Sequence, residues 1–139
     1  MNKKTFLNGV LIAFMLMCTL NLSAQTSPEV LRDWTALEEA EFHFDVSYSI
    51  VKCTSNSKKM VILNAFNEDG TNPKVGFTLK FSDDKGNSEE VIVKPFATRL
   101  GDMFIGSCDS NEHANLRFEY PNNVDLSTLK IEITYQTGS

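Results

Sequence analysis

Hydrophobic and polar residues alternate along much of the chain from Glu41 onward, and this period of two predicts β-strands. The clearest strand covers residues 42–50. Its predicted apolar face consists of Phe42, Phe44, Val46, Tyr48 and Ile50, while Glu41, His43, Asp45, Ser47 and Ser49 lie on the other face. The alternation breaks at Ile50 and Val51, so we expect either a β-bulge or a change of sheet there.

Further strand signals follow at intervals separated by turn residues. They lie near residues 60–63, 75–81, 90–94, 103–105, 116–120 and 131–135. The first of these is apolar on both faces, as is typical of a central strand. The polar turn at 83–87 predicts a hairpin between the strands on either side of it. Pro95 ends its strand or marks an edge strand, because proline cannot donate a hydrogen bond to a neighbouring strand.

The segment before the first strand carries a different pattern. Ser27-Pro28-Glu29 is typical of a helix start, and Val30, Trp34 and Leu37 fall on one helical face. We therefore expect a short N-terminal helix or an irregular lead-in, with Trp34 packed onto one end of the core. The alternative is that Trp34 stacks on a ligand.

These signals amount to about seven strands, with no internal repeat. Strands that have one apolar face can bury it by pairing two sheets. The sequence therefore predicts an all-β fold, an antiparallel two-sheet sandwich of immunoglobulin-like type, with a flattened barrel as the alternative. The pattern leaves the strand order open.

The phenylalanines divide into two sets. Those at alternating positions are expected in the core: Phe42, Phe44, Phe77, Phe81 and Phe118. Phe66, Phe96 and Phe104 are less constrained by the pattern. Two of these three exposed together would mark a partner-binding or sugar-binding surface.

Residues 1–24 read as a secretory signal peptide. Lys3 and Lys4 precede a mostly apolar run at residues 10–20, and Leu22-Ser23-Ala24 is followed by Gln25, which predicts cleavage after Ala24. We expect export to the periplasm or the extracellular space. The apolar run is bounded by polar residues and is short for a membrane span, so we expect none after cleavage.

Cys18 raises the alternative of a lipid-anchored protein. A lipoprotein peptidase requires a small residue immediately before the modified cysteine, whereas Met17 occupies that position here. Lipid anchoring at Cys18 is therefore disfavoured.

Cleavage after Ala24 would leave 139 − 24 = 115 residues, which suits a single domain at 25–139. The signal holds two of the 13 basic residues and none of the 18 acidic ones, so this domain has a formal charge of 11 − 18 = −7. Such a charge disfavours nucleic acid and anionic membranes as partners.

Two cysteines remain after cleavage, Cys53 and Cys108, and an even count in an exported chain predicts a disulfide. Two separate buried thiols are the alternative. The chain has no Cys-x-x-Cys pair, no His-x-x-x-His pair and no cluster of histidines with carboxylates. We therefore expect neither a metal site nor a cofactor.

Acidic and amide residues cluster in three predicted turns. The clusters are Asn67, Glu68 and Asp69; Asp83 and Asp84; and Asp109 and Glu112. None follows the Asp-x-Asx-x-Asx-Gly spacing of a calcium loop. We interpret them as solvated turns whose side chains satisfy the local backbone, with calcium binding as the alternative.

The chain has only two histidines, His43 and His113. Either would serve a hydrolase only if a serine and a carboxylate converged beside it in the fold, and no Gly-x-Ser-x-Gly elbow is present. We expect a protein that is not an enzyme.

Several features together resemble a known group of proteins. They are Ser23-Ala24-Gln25, Trp34-x-x-Leu37-x-Glu39, Cys53 after the first predicted strand, and Gly106-Ser107-Cys108. The chain resembles small exported β-sandwich proteins, immunoglobulin-like and of unknown function, from Gram-negative bacteria. The resemblance covers most of residues 25–139, implies a periplasmic or surface location and brings no catalytic residue with it.

The leading hypothesis is a non-catalytic exported binding or accessory module that presents loops or an edge strand to an unknown protein or glycan partner. One alternative is a periplasmic inhibitor of a protease or lysozyme, for which the loop after Cys108 supplies the candidate binding residues Asp109, Asn111, Glu112 and His113. Another alternative is a carbohydrate-binding or Ca²⁺-dependent adhesion module.

Overall fold

The computed structural model describes residues 27–37, 43–68, 70 and 73–137. The predicted signal peptide, its cleavage site and Cys18 lie outside the described residues. So do Phe42 and Asp69, which the sequence assigned to the core and to an acidic turn. Among the described residues, the helical segments are far too short to cross a membrane.

The described residues form eight strands and two short 3-10 helices. The strands are β1 (Glu29–Ala36), β2 (Phe44–Lys52), β3 (Lys59–Asn67), β4 (Lys74–Ser82), β5 (Ser88–Ala97), β6 (Met103–Ile105), β7 (Arg117–Glu119) and β8 (Lys130–Thr137). The helices are η1 (Ala114–Leu116) and η2 (Leu126–Thr128).

The strands form two antiparallel sheets, which confirms the predicted all-β architecture. Sheet A has the order β1-β2-β3-β6, with β7 also paired to β3, and sheet B has the order β5-β4-β8. In the immunoglobulin arrangement the third strand belongs to the second sheet. Here β3 stays beside β2, and the chain crosses to sheet B between β3 and β4.

The core lies between the two sheets and is rich in aromatic rings. Phe44 of sheet A contacts Tyr135 of sheet B with ring centroids 6.3 Å apart. Phe81 of sheet B contacts Phe118 of sheet A at 6.0 Å. Both pairs have the edge-to-face geometry that aromatic rings favour, so they add directional contacts to the apolar burial between the sheets.

The period-two prediction for β2 is confirmed, and the break at Ile50 and Val51 has its origin in the neighbouring strand. β2 pairs with β3 in uninterrupted register from Phe44 to Lys52. The register shift occurs between β1 and β2, where Val30 faces Val51 and Arg32 faces Ile50. The extra residue therefore lies in β1, opposite the position where the sequence pattern changes.

The prediction of an N-terminal helix or irregular lead-in is wrong, because Glu29–Ala36 is the edge strand β1. The prediction that Trp34 packs onto the core is also wrong, since its side chain is 52% exposed. Two register shifts within β1 move residues out of strict alternation, which left a spacing that resembled a helix. Pairing with β2 supplies the hydrogen bonds that an isolated short helix would lack.

The predicted hairpin between β4 and β5 is confirmed, and Pro95 lies within β5, an edge strand. The register shifts between Val75 and Phe77, close to this proline. A Cβ atom at Gly76 would lie 2.6 Å from the Pro95 nitrogen, so only glycine fits opposite the ring. Proline at position 95 of this edge strand therefore requires glycine at position 76 of the neighbouring strand.

The less constrained phenylalanines do not form an exposed pair. Phe96 and Phe104 contact each other with centroids 5.1 Å apart, and both are half-buried against the core. Phe66 is half-buried too, on the face of β3 opposite its buried neighbour Ala65. Phe44, Phe77 and Phe81 are fully buried, as predicted.

Candidate functional site

A disulfide joins Cys53 and Cys108, as the sequence predicted, with their Cα atoms 5.4 Å apart. Cys53 directly follows β2, and Cys108 lies in the connection between β6 and β7. The bond therefore ties residues 107–113, which we call the anchored loop, to the turn between β2 and β3.

Arg117 holds the same loop from the first position of β7. Its Nη1 donates to the carbonyl oxygens of Ser107 and Cys108 at 2.6 and 3.0 Å. Its Nη2 donates to the Oδ1 atom of Asn111 at 2.9 Å. Because Arg117 is itself paired with Ile62 of β3, these bonds connect the loop to the centre of sheet A.

Short-range contacts fix the backbone between these anchor points. The amide of Asp109 donates to Ser107 Oγ, and the amide of Glu112 donates to Ser110 Oγ, both at 3.1 Å. These are serine turns, in which a hydroxyl replaces a backbone acceptor. At the start of the loop, a Cβ atom at Gly106 would lie 2.5 Å from the Leu116 carbonyl oxygen, so that position requires glycine.

The last residue of the loop packs inward. The ring of His113 lies edge-on to Phe104 with centroids 5.3 Å apart, and the side chain is half-buried. Its carbonyl oxygen accepts a hydrogen bond from the amide of Leu116, which is 1% exposed. His113 thus anchors the C-terminal end of the loop to the core.

The structure divides the four predicted binding residues into two roles. Asn111 and His113 help to hold the loop through Arg117 and Phe104. Asp109 and Glu112 are exposed, and their carboxylates form no hydrogen bond or ion pair with any residue that the structure describes. The loop therefore presents the carboxylates of Asp109 and Glu112, the Ser110 hydroxyl and the Asn111 amide on a fixed backbone. The two carboxylates suit contact with basic groups.

Sequence reasoning did not identify Arg117. It lies nine residues beyond Cys108, at the start of a strand, and strand position alone gives no indication that its side chain turns back onto the loop. The guanidinium is well suited to this role because its planar, multiply donating head can bind several acceptors at once.

The second acidic turn, at residues 83–87, is different. The Asp83 carboxylate is buried and accepts hydrogen bonds from four donors: the amides of Lys85, Asn87 and Asp125 and the Nδ2 atom of Asn87. The Asn87 side chain first, and then the backbone amide of Asp125, hold the pKa of Asp83 below its usual value. The interpretation of this turn as structural is therefore confirmed for Asp83.

The neighbouring charges at this turn are also paired with each other. Lys85 Nζ lies 2.6 Å from Asp125 Oδ2, and this hydrogen bond raises the pKa of Lys85 and lowers that of Asp125. In the first cluster, Asn67 is 1% exposed, accepts from the amide of Gly70 and donates to Thr98 Oγ1. These groups stabilise turns of the protein itself.

Within the described part of the chain, no three His, Cys, Asp or Glu side chains come close enough together to hold a metal ion. The two histidines occupy separate settings. His43 is exposed with φ of 48° just before β2, and its carbonyl accepts from the amide of Glu68. His113 packs against Phe104.

Comparisons with protein-family models, with curated proteins and with solved structures each found no match to this chain.

Proposed function

We propose that this protein is a non-catalytic exported module that binds another protein through the anchored loop. The observation that carries the proposal is the combination of a backbone fixed from several sides with two exposed, unpaired carboxylates at Asp109 and Glu112. Of the protein-binding hypotheses, an inhibitor-like interaction agrees best with such a loop.

A fixed loop favours binding because the entropy of ordering it is already lost in the free protein. The disulfide and Arg117 restrict the backbone, so the exposed side chains start close to one arrangement. Preorganised loops of this kind contact their partners with little backbone movement. This property suits an inhibitor that enters the cleft of an enzyme.

The charge of the loop indicates the chemistry of the partner. Two carboxylates without an internal partner favour a surface that carries lysine or arginine, and such complementarity mainly raises the association rate and the specificity. The whole chain has a formal net charge of −5, which adds to the attraction of a basic partner.

Export is part of the proposal and has two supports. Residues 1–24 have the sequence features of a signal peptide. The Cys53–Cys108 disulfide belongs to the kind of bond that persists in oxidising compartments.

The test is capture of a partner by residues 25–139, immobilised and exposed to an envelope extract of the host. Three forms are compared: the native sequence, the loop variant Asp109→Asn/Glu112→Gln, and the matched variant Glu89→Gln/Glu90→Gln. The last removes the same charge from exposed positions of β5. A captured protein is then purified, and its affinity for each form is measured together with any enzymatic activity that it loses.

We expect the loop variant to bind the captured protein about tenfold or more weakly than the native form, because hydrogen bonds to charged groups are among the stronger ones. The β5 variant should bind like the native protein. Equal binding of all three forms would show that the partner contacts another surface.

A further inference from the structure

A second candidate site lies on the outer face of sheet A, away from the core. It is a groove with a volume of about 450 Å³, within the size range of small-molecule and side-chain sites. We call it the outer groove. Its main lining residues are Leu37, Asp45, Ser47, Asn64, Phe66 and Met103.

The floor of the outer groove is polar. Ser47 and Asn64 face each other across β2 and β3, and Asp45 lies two positions before Ser47, on the same face of the strand. Directly opposed residues of neighbouring strands have their Cβ atoms roughly 5 Å apart, and the next residue on the same face is roughly 7 Å away. Three side chains that can accept hydrogen bonds therefore stand close together.

None of these acceptors is used within the described structure. The Oδ1 atom of Asn64 is buried and has no hydrogen-bond partner. Asp45 and Ser47 are half-buried, and neither side chain makes a hydrogen bond or ion pair with a described residue. Because Asn64 Oδ1 has no exposed surface, a ligand in the groove would contact Asp45 and Ser47, while the unpaired oxygen remains an unfavourable feature of the free protein.

The walls of the outer groove are apolar. Met103 of β6 pairs with Phe66 of β3 on this face, and Met103 is 57% exposed. Leu37 closes the side next to the end of β1. No lysine or arginine is among the described residues that line the groove, so the Asp45 carboxylate has no internal cation there.

An alkylammonium group matches this arrangement. It carries a positive charge and three N–H donors at one end and an apolar stem at the other. We propose that the outer groove binds a lysine side chain of a protein partner, with the ammonium group on Asp45 and Ser47 and the methylene stem against Phe66 and Met103.

The proposal does not depend on the function of the anchored loop, because no groove residue belongs to that loop. Arg117, which holds that loop, pairs with Ile62 of β3, two positions before Asn64 on the same face of the strand.

The test is an NMR titration of the intact protein with Nα-acetyl-lysine N-methylamide. Nα-acetyl-norleucine N-methylamide, which has a similar stem without the ammonium group, is the matched probe. We expect the lysine probe to shift the signals of Leu37 and Met103 and to bind about tenfold more tightly than the norleucine probe. No shift up to the solubility limit, or equal binding of both probes, would overturn the proposal.

Variants separate the groove from the rest of the surface. Asp45→Asn should remove the preference for lysine, whereas Asp33→Asn, an exposed position on β1, should leave it unchanged. Asn64→Leu should raise the melting temperature, because it eliminates a buried acceptor without a partner. A lysine preference that persists in Asp45→Asn would contradict the proposal.

Discussion

Two acidic turns of this protein have similar compositions but are held in different ways. In the 83–87 turn, the acidic side chain itself makes the structure, because Asp83 accepts four hydrogen bonds from the surrounding chain. In the anchored loop, the structure comes from outside the acidic side chains, through the Cys53–Cys108 bond and Arg117.

The difference shows where side chains are available for a partner. Asp83 is occupied by its own turn, and changing it would disturb the fold. Asp109 and Glu112 contribute no side-chain contact to the described structure, so their charges can be used for binding without loss of stability. A fixed backbone combined with unused charges is the basis for assigning function to the anchored loop.

The largest expected effect comes from removing the disulfide, which holds the anchored loop but does not touch the 83–87 turn. The bond joins residues 55 positions apart, and Cys53→Ser/Cys108→Ser should lower the free energy of unfolding by about 2–4 kcal/mol. The melting temperature should fall by on the order of 10 °C in differential scanning calorimetry. An unchanged melting temperature would show that Arg117 and the serine turns hold the loop alone.

Replacing one aspartate in each region tests the comparison directly. Asp83→Asn presents an NH₂ group to donors that need acceptors, so the melting temperature should fall by several degrees. Asp109→Asn should change the stability by no more than about 0.5 kcal/mol, as is usual for an exposed position. Similar losses for the two variants, measured by thermal unfolding, would remove the distinction between the regions.

Acid titration sharpens the same contrast. Because the folded protein holds the pKa values of Asp83 and Asp125 below normal, the stability they contribute is present above about pH 4, the ordinary aspartate value, and is lost as the pH falls further. Melting temperatures measured from pH 6 to pH 2 should therefore fall less steeply for Asp83→Asn than for the native protein. A native curve as flat as that of Asp83→Asn would contradict the account.

The most local expected effect belongs to Arg117→Lys. Lysine keeps the charge but cannot reach Ser107, Cys108 and Asn111 together, so the loop should loosen while the sheets stay intact. Hydrogen exchange should accelerate at the amides of Asp109 and Glu112 and remain unchanged in β2 and β3. Unchanged exchange in the loop would mean that the disulfide and the serine turns suffice.

Local patterns predicted most of the fold. β2 alternates from Phe44 to Tyr48 because one of its faces packs on the core, so Phe44, Val46 and Tyr48 could be assigned from spacing alone. β1 could not be assigned in this way, since its two register shifts disturb the period and its partner β2 lies further along the chain. The wrong prediction that Trp34 packs onto the core had the same origin, since Trp34 lies in β1 and is exposed.

The candidate site was only partly predictable. The cysteine count indicated the disulfide, and the polar composition indicated the loop at 109–113. The sequence could not distinguish Asp83 from Asp109, because that difference depends on donors that include the distant Asp125 amide. The outer groove could not be predicted, because Asp45, Ser47 and Met103 come together only once β2, β3 and β6 are paired.

The most direct test of the central claim is ¹⁵N relaxation of the native protein, residues 25–139 with the disulfide formed. If the anchored loop is held as described, the amides of residues 109–112 should have order parameters near those of the sheets, about 0.85. Values below about 0.6 in the loop, beside rigid strands, would show that it is not preorganised and would contradict the account.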